Sequence, residues 1–234
     1  MPKHYVSNAD VSARMFRSDF LEWFSHVHPA VPHVIYVPLV VGLLWSARGT
    51  PGTTALLFLG GVALWTLAEY LLHRHVFHAP DHIMQETHDL VARTPRDEPI
   101  MPALPTWRHR SYFVAHGVHH EYPNDSSRLV APPGASVPIA IVTWLLFRAI
   151  AGAHHAPALF AGFVTGYLVY DTTHYAVHHF GMPTSWGRYL KKRHARHHFV
   201  DADSDYGVSS PLWDLVFGTF TRLSSARRPA SEDR

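Results

Sequence analysis

The chain has 234 residues, with 20 Lys and Arg against 18 Asp and Glu and a formal net charge of +2. It contains no cysteine, which excludes disulfides, thiolate zinc sites, iron–sulfur ligation and cysteine nucleophiles. Basic residues are spread thinly apart from one run at 191–193, so the composition argues against nucleic-acid binding. Histidine, with 21 copies, outnumbers the acidic residues, and this excess needs a chemical explanation.

Four apolar segments predict membrane-spanning helices, at residues 33–48, 53–72, 136–151 and 156–173. A full span needs about 20 residues, so we expect the first and third segments to be tilted or partly interfacial. The alternative is a soluble bundle, but the polar remainder of the chain offers few amphipathic helices to cover four apolar ones. The sequence therefore predicts an all-α integral membrane protein with about four transmembrane helices.

Short connections join the first segment to the second and the third to the fourth, which predicts two helical hairpins. Both chain ends and the long 74–135 loop then lie on one side, and only Arg48 and Arg148 of the 20 basic residues lie at the opposite ends. The positive-inside rule makes the shared side cytoplasmic. Apart from His154 and His155, every histidine cluster also lies on that side, which predicts a cytoplasmic helical cap. We divide the chain into a cytoplasmic or interfacial N-terminal segment, a membrane-embedded domain and a polar tail, at residues 1–32, 33–223 and 224–234.

Four histidine boxes lie next to these segments: HRHVFH, HGVHH, HYAVHH and HARHH, at residues 73–78, 116–120, 174–179 and 194–198. On a helix, positions i, i+3 and i+4 share one face, so each HxxHH box is predicted to direct three imidazoles toward one point. Imidazoles without thiolates suit iron, zinc, copper or nickel. A structural zinc needs only four ligands, so this larger number predicts two metal ions. The candidate ligands are His73, His78, His116, His119, His120, His174, His178, His194, His197 and His198.

Other residues are predicted to surround this centre. Glu69 and Asp171 each lie one turn before a candidate ligand, where a carboxylate commonly accepts the second N–H of a metal-bound imidazole. A plain polar position on the helix is the alternative for both. The histidines outside the ligand positions are predicted to be interfacial or to lie outside the centre, and they are His75, His82, His88, His109 and His179.

A paired metal centre beside apolar helices points to oxygen chemistry. Metal-dependent hydrolases usually add carboxylate ligands and a base for water, whereas a redox metal pair can activate O₂ and oxidise an unactivated C–H bond. The apolar helices would deliver a chain-like substrate. From a different class, the alternative is a histidine-rich metal-binding or transport protein, but transport predicts ligands near the middle of the bilayer.

The motifs resemble the fatty acid hydroxylase and sterol desaturase superfamily, and most closely its fatty acid 2-hydroxylase branch. The matching stretches are HRHVFH, HGVHHEYPNDSSRLVAPP, YDTTHYAVHH, LKKRHARHH and YGVSSPLWDLVFGT, within about residues 65–220. The resemblance implies that the candidate histidines bind two iron ions, which zinc can replace in purified samples. It also implies hydroxylation by O₂ at C2 of a fatty acyl chain, free or within a sphingolipid. Family positions expected to be structural or to flank the substrate are matched by Pro123, Asp125, Arg128 and Trp213.

The chain departs from the family pattern in two places. Many relatives carry an N-terminal cytochrome b5 domain with an HPGG heme motif, which residues 1–32 lack, so a separate electron donor of the cytochrome b5 or ferredoxin type is expected. The loop between the first two boxes is longer than the pattern and contains the proline-rich run TPRDEPIMPALPTW. This leaves the lipid open, and hydroxylation or desaturation of a sterol, a carotenoid or another lipid remains the alternative reaction.

Overall fold

The computed structural model describes residues 5–222, and every regular element in that range is helical, as predicted. The predicted polar tail at 224–234 lies outside these residues. Two π-helical turns, His73–Phe77 and Phe113–Gly117, continue α3 and α5 without a break. The α-helices in chain order are α1 Asp19–Ser25, α2 Val31–Ser46, α3 Pro51–Leu72, α4 Asp81–Arg93, α5 Trp107–Tyr112, α6 Val118–Glu121, α7 Pro133–His179, α8 Ser185–Phe199 and α9 Leu212–Phe217.

Two helices are long and apolar enough to cross a membrane: Pro51–Phe77, which is α3 with its π-helical turn, and α7. The apolar helix α2, of 16 residues, is shorter. The most apolar window of α7 has no buried residue and that of α3 is 22% buried. A core helix of a soluble protein would bury such a stretch, so this exposure argues against the soluble alternative.

Helix α7 bends back on itself at Gly152, where φ is 71° and ψ is 171°. A positive φ suits glycine, which has no Cβ to clash. The first arm, residues 133–151, and the second arm, residues 153–179, face each other through Phe147 and Phe163, whose ring centroids lie 5.2 Å apart. The arms form the hairpin predicted from the GAHH connection. The turn itself needs only the glycine of that connection. Both of its histidines belong to the start of the second arm, where they are exposed.

Glycines allow α3 and the second arm of α7 to pack closely. A Cβ added at Gly61 would lie 2.0 Å from the carbonyl oxygen of Leu159, and one at Gly162 would lie 1.9 Å from that of Phe58. No larger residue fits these positions without moving a backbone, as in the small-residue interfaces of membrane helices. The second arm continues to His179, past the predicted end of the fourth segment, so the third histidine box is helical.

The remaining helices and the N-terminal segment pack around the ends of α3 and α7 that carry histidines. The proline-rich run between the first two boxes is part of this layer, because Ile100 and Leu104 are fully buried against Ala13 and Met15. The Ile100 N–H donates to the Arg14 carbonyl across 3.0 Å. This run is therefore an ordered support for the N-terminal segment.

Candidate metal centre

The first histidine box lies where α3 becomes π-helical. In an α-helix, two residues five positions apart point about 140° away from each other. The π-helical turn instead stacks His78 over His73, and the His78 backbone N–H donates to the His73 carbonyl across 3.3 Å. Their ring centroids are 5.1 Å apart. The π-helical turn thus brings both imidazoles of HRHVFH to one place, and such turns are frequent at functional sites.

All ten candidate histidines converge, and they form two sets of five. In each set, one nitrogen from every ring lies within 4.8 Å of the nitrogens chosen from the other four. The two sets are adjacent, with 5.2 Å between the ring centroids of His116 and His119. Set A is His73, His78, His116, His120 and His197, and set B is His119, His174, His178, His194 and His198.

Each HxxHH box serves both sets, which corrects the expectation that its three imidazoles meet at one point. In HGVHH, the first and last histidines belong to set A and the middle one, His119, to set B. In HARHH the assignment is reversed, because the middle one, His197, joins set A. Positions i and i+4 lie nearly above one another on a helix, while i+3 falls to the other side of that line. The two sets therefore lie on either side of both boxes.

The spacing of the imidazole nitrogens fits metal coordination. Several Nε2 pairs within a set are 2.8 to 3.1 Å apart, including His73 with His116 and His119 with His174. Two nitrogens bound about 2.1 Å from one ion and at right angles would lie about 3.0 Å apart. Each set can therefore surround one ion, with five nitrogens in a compact shell.

Two rings of set A are fixed by backbone carbonyl groups. His73 Nδ1 donates to the Tyr206 carbonyl across 2.6 Å, and His197 Nδ1 donates to the Ser204 carbonyl across 2.7 Å. A carbonyl oxygen only accepts, so each Nδ1 carries the hydrogen and each Nε2 of the neutral ring carries a lone pair. Both carbonyls belong to residues 204–210, which we call the strap.

Glu69 contacts the strap rather than an imidazole among the described residues. Its Oε1 accepts the backbone N–H groups of Val208 and Ser209 at 2.8 and 2.9 Å. Trp213, just beyond the strap, donates its Nε1 hydrogen to Thr66 across 3.0 Å and joins the same region to α3. Glu69 thus acts on the histidines through the strap, in contrast to the direct bond to a ligand ring predicted from its position.

Asp171 is buried at the predicted position on the second arm, one turn before His174. Its Oδ2 has no hydrogen-bond partner among the described residues. The described residues therefore show no hydrogen bond between this carboxyl group and a ligand ring.

Burial keeps the box histidines neutral. It lowers the pKa of His197 to about 4 and is the largest cause of that shift. Burial and neighbouring imidazoles lower the pKa of His116 and His198 well below the usual range. Neutral imidazole is the form that binds metal, so at neutral pH no proton competes strongly for these nitrogens.

The histidines predicted to lie outside the centre belong to neither set. His88 Nδ1 lies 2.8 Å from Glu121, and His109 Nε2 lies 3.0 Å from Glu86. The Glu121 carboxylate raises the pKa of His88. His75 and His82 are exposed, and His179 is partly buried.

The RLVAPP region after the second box holds the N-terminal segment. Asp125 accepts a hydrogen bond from the Ser12 hydroxyl, and the buried Arg128 forms an ion pair with the partly buried Glu22. Pro123 is buried in the same loop. These contacts place Asp125 and Arg128 in the packing between the second box and residues 12–22.

Apolar helices that end in two buried histidine sets define a histidine-box protein, and comparison with known proteins narrows this class. A profile of the fatty acid hydroxylase family matches residues 104–219. A dihydroceramide fatty acyl 2-hydroxylase of Arabidopsis thaliana is 36% identical over 220 residues, covering 92% of this chain and 83% of that protein. A fatty acid 2-hydroxylase of Homo sapiens is 37% identical, covering 89% of this chain and 56% of that protein.

A solved structure agrees with these sequences. Full-length scs7p, in which only the hydroxylase domain is visible, has a TM-score of 0.74 and 34% identity, covering 87% of this chain and 70% of that one. The chain belongs to the fatty acid hydroxylase family. It is therefore an oxidoreductase of the monooxygenase type, and the family resemblance found in the histidine boxes is confirmed.

Proposed function

We propose that this enzyme hydroxylates C2 of a lipid acyl chain, in a free fatty acid or in a sphingolipid. The observation that carries the proposal is the pair of five-nitrogen sets at the ends of apolar helices. Relatives named for 2-hydroxylation of fatty acids and of dihydroceramide acyl groups match most of the chain, which supports this substrate class.

Sets A and B would each hold one metal ion, and we propose iron in the active enzyme. The residues fit this role, because four of the five histidines in each set are buried, the imidazoles are neutral, and five nitrogens leave a position open for another ligand. Bound as a pair, redox-active iron supplies the chemistry that activates O₂ and oxidises an unactivated C–H bond. Zinc fits the same nitrogens but has no redox chemistry, so a zinc-loaded sample would be inactive.

The overall reaction requires an electron supply. One oxygen atom replaces a C2 hydrogen as hydroxyl, the other leaves as water, and two electrons and two protons are consumed. The chain has no cysteine and therefore no thiolate-bound iron–sulfur cluster of its own. We propose that the electrons come from a separate carrier, of the cytochrome b5 or ferredoxin type.

The position of the sets relative to the apolar helices favours attack near the carboxyl end of the lipid. His73 ends α3, and His174 and His178 lie in the last turns of the second arm. A lipid with its head group at the membrane surface and its tail along these helices would present C2 at that level. Attack at mid-chain would require the tail to pass the histidine sets instead.

We also propose that the two hairpins form four membrane spans, with the histidine centre in a cytoplasmic cap. Helices α2 and α3 are joined by a short connection and both pack against α7, whose two arms form the other hairpin. The far ends carry only Arg48 and Arg148 of the 20 basic residues, which supports this orientation.

Lipid analysis of cells that lack 2-hydroxylated lipids tests the reaction. The cells would express the protein with a ferredoxin or a cytochrome b5 under ¹⁸O₂, together with the variants His120→Ala and His154→Ala. We expect label at C2 of acyl chains with the parent protein and with His154→Ala, whose ring is exposed far from both sets. His120→Ala, which removes a ring of set A, should give none. Labelled sterol or carotenoid beside unmodified acyl chains would contradict the proposal, as would bound metal without any oxidised lipid.

A further inference from the structure

Asp205 lies between the two strap residues whose carbonyl oxygens fix histidines of set A. Ser204 and Tyr206 accept from His197 and His73 at 2.7 and 2.6 Å. The directions of these two carbonyl groups are related through the backbone torsions of Asp205 and Tyr206. Both carbonyls can therefore reach their imidazoles at once only if Asp205 keeps a suitable conformation.

That conformation is unusual for a residue with a side chain. Asp205 has a φ of 59°, in the left-handed region, and only Met182 shares a positive φ among the non-glycine residues described. Aspartate tolerates this region better than most residues but still disfavours it relative to glycine. A left-handed aspartate beside a functional site persists only when its surroundings hold it there.

Contacts of the Asp205 side chain stabilise this left-handed backbone conformation. The side chain forms a fully buried ion pair with Arg193 and accepts the Thr221 backbone N–H across 3.1 Å. Arg193 also donates to the Thr221 carbonyl across 3.1 Å, and its guanidinium lies 4.0 Å from the ring centroid of Phe220. One buried cluster thus fixes the strap to residues 220–221 and to α8.

Arg193 connects this cluster directly to the histidines. It precedes His194 in α8 and lies one turn before His197, so it shares a helix face with a ring of set A. A second carboxylate, that of Asp214, accepts the N–H groups of Tyr206 and residue 207, both at 2.9 Å. The strap is therefore held on both sides of Asp205.

We propose that Asp205 is a positioning residue for the metal ion of set A. Its left-handed backbone, held by Arg193, aims the two flanking carbonyl groups at the Nδ1 atoms of two set A rings. Each ring then keeps its hydrogen on Nδ1 and presents the Nε2 lone pair to the ion. The inference rests on the proposed function, because it requires that set A bind metal. In set B, the Nδ1 atoms of His194 and His198 have no hydrogen-bond partner among the described residues, so the effect belongs to set A.

Three variants separate the backbone conformation from the ion pair. D205A and D205G both remove the carboxylate, but only glycine adopts the left-handed region freely. D203A, which changes an exposed aspartate two residues away in the sequence, is the matched control.

The measurement is the number of zinc ions per purified, detergent-solubilised chain and the rate at which a chelator removes each. We expect two slowly released ions in the parent, in D203A and in D205G. D205A should release one ion at least about 10-fold faster, which is the usual effect of losing a partner behind a metal ligand.

The outcomes are distinguishable. Equally fast release of one ion from D205A and D205G would show that only the ion pair, and not the backbone conformation, affects metal retention, and would overturn the inference. Retention of both ions by D205A, as in the parent, would also overturn it. A parent protein that binds no metal would overturn the proposed function instead. If D205A does not fold, D205N and D205G carry the test, since glycine adopts the left-handed region freely and asparagine tolerates it better than alanine does. Both should keep two ions, and rapid loss of one from either would overturn the inference.

Discussion

The ring centroids of His120 and His198 lie 4.4 Å apart, although the two histidines belong to different sets. Each is the last histidine of an HxxHH box, one in α6 and one in α8. This contact joins sets A and B, so the histidines form one centre with two halves. A lipid carbon that reaches one half is therefore also close to the other.

The first box offers a matched pair of histidine substitutions within one helical turn. His78→Ala removes one of the five nitrogens of set A, whereas His75 is exposed and belongs to neither set. We expect His78→Ala to weaken binding of one ion by about 100-fold or more and to abolish hydroxylation. This loss of affinity is larger than that caused by removing a group that only hydrogen-bonds to a metal ligand. His75→Ala should retain two ions and activity. Metal content and product formation that do not differ between the two variants would contradict the assignment of His78.

The contact between α3 and the second arm is expected to be intolerant of any side chain. A Cβ at Gly162 would lie 1.9 Å from the Phe58 carbonyl oxygen, so Gly162→Ala should destabilise the protein by about 1–3 kcal/mol or more. Gly42 in α2 has no atom within 4 Å of the position that a Cβ would take, so Gly42→Ala is the control and should be neutral or slightly stabilising. Thermal denaturation in detergent measures both effects. An unchanged melting temperature for Gly162→Ala would contradict the close packing.

Acid is expected to destabilise the metal-free protein through its buried imidazoles. Burial lowers the pKa of His197 from its usual 6.5 to about 4 and that of His120 well below its usual value. Since the folded-state pKa is the lower one, the unfolded chain binds more protons below pH 6.5. The stabilising contribution is present above that pH and is lost as the pH falls toward 4. Each such group changes the unfolding free energy by up to about 1.4 kcal/mol per pH unit. A melting temperature that stays constant over this range would show that the rings are not held neutral.

All ten histidines of the two sets could be predicted, because the spacing within each box and the placement of the boxes beside apolar helices are properties of the sequence. Their division between the sets could not. It depends on how the second and fourth boxes pack against each other, which moves His119 and His197 to the set opposite their neighbours. The π-helical turn at 73–77 also has no clear sequence signal, although the five-residue spacing of HRHVFH is what it accommodates.

The supports behind the histidines were harder to predict. Every residue has a carbonyl group, so nothing in the sequence distinguishes those of Ser204 and Tyr206. The position of Glu69 one turn before His73 suggested a direct contact, but its carboxylate turns toward the strap, which comes from a distant part of the chain. The apolar helices α2, α3 and α7 were predictable from long apolar runs, and the hairpin of α7 from the short GAHH connection.

Counting metal ions in two double variants tests most directly whether the histidines bind two ions in two sets. His120→Ala with His197→Ala removes two nitrogens from set A and leaves set B complete. His120→Ala with His119→Ala changes adjacent residues but removes one nitrogen from each set. During chelator challenge, the first variant should lose one ion quickly and keep the other as tightly as the parent, whereas the second should release both at a similar, increased rate. Indistinguishable release from the two variants, or one ion kept at parental strength in the second, would contradict the two-set centre.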